Sequence, residues 1–219
     1  MQCAYCGKDL QPGDVTKDHV IPRSMFPETY RKQRLTVKCC RACNAFYRKS
    51  EDRFRAWVLS GQAGDTEPGA MLLPRLLQSL NKDQGLRAAY LSSIMQAELE
   101  IPGGIQPGPA VVVALERDVE TRALAKIARG LLFHETGRIL PQRTTVVGAR
   151  MSDLSRLDDK IRATTAGRSD WPGVFRYRFG LAKDGPDASL WLMLFDDIEP
   201  FMVVTRGPNG SDLASPEAP

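Results

Sequence analysis

No apolar run in this chain approaches the roughly 20 residues that a helix needs to cross a bilayer. The longest candidate, Pro109-Ala-Val-Val-Val-Ala-Leu115, is far too short. The start, Met-Gln-Cys-Ala-Tyr-Cys, has none of the apolar core of a secretory signal, so the cytoplasm is the expected compartment. Histidine is scarce, with only two residues, so any imidazole chemistry must use His19 or His134. His134 is expected at a helix end, where it serves the last carbonyls or packs. Cysteine is confined: all five lie within the first 43 residues, which excludes a disulfide framework spread along the chain. Neither an internal repeat nor a low-complexity tract occurs. What remains is an ordinary soluble composition, 42% hydrophobic and 26% charged over 219 residues, enough for one or two domains.

The net charge of +4 hides an asymmetry. Residues 1–60 carry 12 Lys/Arg against 6 Asp/Glu, and the remainder 18 against 20. A basic first lobe joined to a near-neutral second one fits a polyanion that engages the first lobe only.

That lobe is organised by its cysteines. Cys3-x2-Cys6 and Cys40-x2-Cys43 each present two thiolates on one side of a turn, and together they can close one tetrahedral zinc site. Cys39-x3-Cys43 is an alternative second pair, but Cys40 matches the spacing of the first. Cys39 is then a small packing residue. Between the knuckles lies Lys17-Asp18-His19, and Asn44 directly follows the last cysteine. Hydrolysis of a phosphodiester needs an activated water and a cation on the phosphate. An imidazole with a pKa near 6.5 suits the first task, and the oxygens of Asp18 and Asn44 suit a hard divalent ion. Adjacent strand residues point to opposite faces, so Asp18 and His19 can share a site only where their strand ends or bulges. Pro22 makes an ending the expectation.

Cys3-x2-Cys6, the run Thr16-Lys-Asp-His-Val-Ile-Pro22 and Cys40-x2-Cys43-Asn44 together resemble the HNH endonuclease family with its ββα-metal fold. The likeness covers residues 3 to about 55. It implies His19 as general base, Asp18 and Asn44 as ligands of a catalytic Mg²⁺ or Mn²⁺, and Cys3, Cys6, Cys40 and Cys43 as ligands of a structural zinc. Nucleic acid is the implied partner, with double-stranded DNA the expected substrate. Two positions depart from the family pattern. No Asn stands near Arg34 or Leu35, where the motif's middle Asn should fall, and Tyr47 stands where a lysine is often found. Arg23, Arg31, Lys32, Lys38, Arg41, Arg48 and Lys49 are the expected phosphate contacts around this site. Two other readings compete. One is a zinc-dependent nucleic-acid-binding module without chemistry, the other a zinc-stapled adaptor that binds protein through its second half.

The expected fold class is α+β: strands at Val15 to Ile21 and Arg34 to Lys38, a polar loop between them, and a helix at Ala42 to Leu59. A zinc-stapled domain over 1–60 is followed by a Gly-rich linker at 61–72. An α+β accessory domain over 73–205 and a disordered tail at 206–219 complete the expectation. In that second part, helices are expected over 72–99, broken near Lys82 to Gly85, and at Val119 to Phe133, with Gly137 as a C-terminal cap; a loop is expected over Ile101 to Pro109 and a short polar helix at Asp153 to Arg162. Strands are expected at Ala110 to Leu115, Thr144 to Val147, Val174 to Leu181, Leu190 to Phe195 and Phe201 to Val204, the later ones forming a small antiparallel sheet.

Overall fold

The computed structural model describes residues 1–62, 66–98, 109–151, 166–171, 173–183, 185 and 187–207; at 31–33, 62, 97–98, 109–112 and 166–170 only the backbone is described. The expected polar helix at Asp153 to Arg162, the loop from Ile101 and the tail beyond 207 lie outside the described residues, as do the side chains of Arg31 and Lys32.

Strand β1 (Val15–His19) pairs antiparallel with β2 (Thr36–Cys40), Thr16 opposite Cys39 and Asp18 opposite Val37. Two 3-10 turns, Arg23–Met25 and Glu28–Gln33, replace the expected loop between them; burial of Met25 and Phe26 anchors the segment. Helix α1 (Arg41–Gln62) starts on the residue after β2, so the second knuckle straddles a strand–helix junction. The first knuckle closes through Gly7 at φ 74°, a left-handed conformation that glycine adopts without a Cβ penalty, and its N–H donates to the Cys3 carbonyl at 2.9 Å.

Helices α2 (Glu67–Lys82) and α3 (Gln84–Ser92) break where expected: Asp83 caps α3 by accepting from the Leu86 N–H at 2.9 Å. The helix expected to reach residue 99 stops at Ser92, and a two-stranded ribbon takes its place, β3 (Ile94–Glu98) with β4 (Pro109–Val113). Helix α4 (Arg117–Thr136) ends at Gly137, whose φ of 70° and N–H to the Phe133 carbonyl at 2.8 Å form the expected cap. The last part is a five-stranded antiparallel sheet of β5 (Thr145–Arg150), β6 (Ala166–Trp171), β7 (Phe175–Leu181), β8 (Ser189–Phe195) and β9 (Glu199–Arg206), in the order β5-β9-β8-β7-β6. The class is α+β, with a broader sheet than the sequence had indicated.

One hydrophobic core serves both halves: Cys3, Val37 and Phe54 belong to the same buried cluster as Leu124, Trp191 and Val203. The reason lies in α1, whose apolar residues point two ways. Ala56 and Leu59 meet Leu72 and Leu76 of α2. Phe54 faces the sheet instead, with its ring 5.4 Å from that of Phe195 and 5.6 Å from that of Phe201. Phe26 likewise meets Trp171 edge-on at 5.7 Å. The segment expected as a linker is partly helical, because α1 runs through Gln62 and α2 begins at Glu67.

Helix α4 lies closest to the first lobe at Gly130, where a Cβ would stand 2.8 Å from Cγ1 and 2.9 Å from Cγ2 of the fully buried Val20. Alanine gains about 1 kcal/mol over glycine in a helix interior. Overpacking a close core contact costs about 1–3 kcal/mol, and here it should win. Gly130→Ala is therefore expected to lower stability in urea denaturation by about 1 kcal/mol; a stabilised variant would show that the helix–core gap can open freely.

Candidate active site

The four cysteines converge. Their sulfurs all lie within 4.8 Å of one another, and Cys6 and Cys40 are 3.9 Å apart. Sulfurs held at about 2.3 Å by a tetrahedral zinc would stand about 3.8 Å apart, so the set fits the ion. Backbone donors support it: the Cys40 N–H reaches the Cys3 sulfur at 3.3 Å and the Cys43 N–H the Cys40 sulfur at 3.4 Å. Cys39 turns away to the Thr16 hydroxyl, 3.2 Å from its sulfur, and burial pushes its thiol up to about 11. Burial and neighbouring sulfurs also push the Cys43 thiol up, so four thiolates at this spacing need a cation to persist.

Strand β1 ends on His19, which resolves the conflict of facing. Asp18 and His19 line one cavity of about 500 Å³, together with Arg23, Arg34, Glu51 and Arg55. Thr16 and Asp18, two apart, share one face of β1. Asp18 is buried, and its Oδ2 accepts from the Tyr5 hydroxyl at 2.7 Å and pairs with the Lys126 ammonium at 2.9 Å. Lys126 comes from the middle of α4 and is fully buried. Its ammonium also bonds the Glu51 carboxylate and the His19 carbonyl, and it lies 5.8 Å from the Tyr5 ring centroid. Two carboxylates and the last carbonyl of β1 are thus tied to one cation from the far half of the chain.

These surroundings set the titration. Burial, with the nearby Arg34 charge adding to it, lowers the His19 pKa from its ordinary 6.5, outweighing the pull of Asp18; the imidazole is neutral at pH 7, the form a base needs. Glu51 is pushed up by burial, which Lys126 only partly offsets. Tyr5 is raised well above 10 by burial and then by the Asp18 charge, so it stays a hydrogen-bond donor.

Asn44 sits in the first turn of α1, and its Nδ2 donates to the Thr16 hydroxyl at 3.3 Å. It therefore faces the same side of β1 as Asp18, but nearer the start of the strand, and it does not line the cavity that Asp18 and His19 share. The bonds given to these two side chains run through Asp18 Oδ2 and Asn44 Nδ2. A carboxylate and a carboxamide offer the hard oxygens that Mg²⁺ or Mn²⁺ prefers, so Asp18 and Asn44 could each supply a ligand to such an ion.

The expected phosphate contacts disperse. Arg23 lines the His19 cavity. Arg48 and Lys49 border a second recess with Asp52 and Asp83 on another face of α1. Lys38 is exposed opposite Lys17 on the outer face of the β1–β2 pair, and the Arg41 N–H bonds Asp14 at 3.3 Å. His134 is exposed at the end of α4, as expected. Sequence reasoning missed Tyr5, Glu51, Arg55 and Lys126.

Residues 3–56 match the family model described as HNH endonuclease. No curated protein and no solved structure matches the chain. The matched segment contains both knuckles, β1, β2 and most of α1, which is also the segment that carries Asp18, His19 and Asn44. A nuclease or other nucleic-acid-related role follows from that match. No helix among the described residues is long and apolar enough to cross a membrane.

Proposed function

We propose that the chain is a metal-dependent endonuclease that hydrolyses phosphodiester bonds in DNA. The observation that carries this reading is the meeting of Asp18 and His19 in one cavity at the end of β1, beside several guanidinium groups. His19, neutral at pH 7, takes the proton from an attacking water. Asp18 and Asn44 present oxygens for Mg²⁺ or Mn²⁺, which when bound would draw charge from the phosphate and the departing oxygen. Tyr5 and Lys126 hold the Asp18 carboxylate in place, while Arg23 attracts the backbone of the substrate. Contacts of this kind position a duplex without reading its sequence, so specificity from this site is expected to be weak.

The test is plasmid nicking with Mg²⁺ or Mn²⁺, run on wild type and His19→Ala, with RNA as a parallel substrate. Loss of a general base costs about 10²–10⁴-fold in rate, and a drop of that size is the expected result. The wild-type rate should rise with pH as the imidazole deprotonates, with its midpoint below 6.5 because the folded pKa is lowered. His19→Ala should lack that limb. Equal nicking by the two proteins would refute the assignment.

One observation favours a second reading, a zinc-dependent nucleic-acid-binding module without chemistry: the Lys126 ammonium already neutralises Asp18. Salt-sensitive DNA binding without nicking in any divalent ion would select it.

A further inference from the structure

We propose that Arg55 is the phosphate receptor of the His19 cavity, holding a backbone phosphate of the nucleic acid there; the nucleic-acid identity of that phosphate rests on the function proposed above. Arg55 lies on the cavity side of α1, one turn after Glu51, and only 5% of its surface is exposed. Its Nε has no hydrogen-bond partner, and among the described residues its guanidinium makes no ion pair. Buried guanidinium groups are ordinarily paired, because an unpaired charge forfeits its hydration with nothing in exchange.

Every carboxylate that lines the cavity has other business or stands off. Asp18 and Glu51 are both held by the Lys126 ammonium. Glu28 pairs with Arg75 at 2.6 Å. Asp52, three residues before Arg55 on the same helix, attracts it without reaching ion-pair distance, and burial pushes that carboxyl up. Burial likewise lowers the Arg55 pKa. Arg23 lines the same space and adds to its positive charge, while Arg75, also at its wall, is taken by Glu28. A phosphate answers that charge: the planar fork of an arginine matches two phosphate oxygens, and about 500 Å³ admits the group with its flanking sugars. Arg129, the other buried arginine among the described residues, shows the contrast, since its guanidinium is spent on the Leu140 and Pro141 carbonyls at 2.6 and 3.2 Å.

The experiment uses the zinc-loaded full chain without added divalent ion, and inorganic phosphate as the probe. Urea midpoints are measured against phosphate at constant ionic strength for wild type, Arg55→Met and Arg55→Lys. Without phosphate, Arg55→Met is expected to be at least as stable as wild type, because it removes an uncompensated charge and keeps the apolar stem. Phosphate should stabilise wild type saturably. Its dissociation constant should rise at least tenfold in Arg55→Met and by a smaller factor in Arg55→Lys, which keeps charge but not the fork. In DNA binding, the slope of log K against log salt should fall by about 1 in Arg55→Met.

A flat phosphate response in wild type overturns the proposal, as does phosphate affinity unchanged in Arg55→Met. An Arg55→Met chain that is destabilised or fails to fold also overturns it, since a structural arginine behaves that way. Phosphate binding lost with Arg55 in a protein that never nicks DNA would uphold the receptor and reject the nuclease.

Discussion

Stripping zinc from the four-cysteine cluster is expected to unfold the whole described core, and not the first sixty residues alone. A structural zinc of this kind contributes about 10–16 kcal/mol of apparent binding free energy at pH 7, while a domain's net stability is about 5–15 kcal/mol. The metal term is therefore as large as the margin it supports. Cys3 and Cys40 are also members of the buried cluster that contains Phe54, Trp191 and Val203, so losing the knuckles exposes the sheet's packing face. The measurement is near-UV circular dichroism and limited proteolysis during chelation, followed by return of zinc. Loss of the signal from buried Trp171 and Trp191, together with cleavage in both halves, is the expected pattern. Cleavage limited to the first lobe, with the tryptophan signal intact, would mean that the shared core is held without the metal. Zinc retention should also weaken as pH falls, because binding must expel protons from thiols such as Cys43, whose pKa burial has raised.

Where local chemistry decides, the sequence was readable. Alternation at Val174 to Leu181 marks β7, Asp83 and Gly137 mark helix ends, and the knuckle spacing selects Cys40 over Cys39. That Asp18 and His19 could open on one space was legible because Pro22 signalled the end of a strand. The residues that complete the site were not, since each arrives by a tertiary route. Tyr5 lies in a knuckle turn, Glu51 and Arg55 lie about two and three turns along α1 from Cys43, and Lys126 is more than a hundred residues from Asp18. One signal did exist: Val119, Ala123, Lys126 and Gly130 form a stripe at helical spacing, and a lysine inside an apolar stripe calls for a buried acceptor. The helical residues on either side of the Gly-rich stretch after α1 were hidden for a related reason. Glycine reports backbone freedom, whereas domain separation is decided by where apolar faces go, and the rings of Phe26 and Phe54 go to the far sheet.

Lys126→Met should be the most damaging single change outside the zinc cluster. Methionine keeps the length and the apolar stem, so what is lost is the ammonium that Asp18, Glu51 and the His19 carbonyl share. Removing one partner of a buried ion pair costs about 3–5 kcal/mol, because the other charge stays behind without compensation. Here two carboxylates are left facing each other. The penalty has a pH signature. Glu51 already has a raised pKa in the folded protein, so the folded state takes up its proton more readily than the unfolded state, and its contribution to stability falls as pH rises through that value. Without Lys126 the one attraction that held the value down is gone. The variant should therefore be most destabilised near pH 7 and recover as acid protonates Glu51. Urea denaturation of wild type and variant across pH 4–8 checks this. Adding Asp18→Asn and Glu51→Gln to Lys126→Met should restore much of the lost stability by removing the stranded charges, a non-additivity expected of groups in one network. A single variant within about 0.5 kcal/mol of wild type at pH 7, the range of ordinary surface changes, would show that water or solvent cations supply what the ammonium supplies here. The buried lysine thus ties two carboxylates of the matched segment to a cation on α4, beside the hydrophobic cluster that the two halves share.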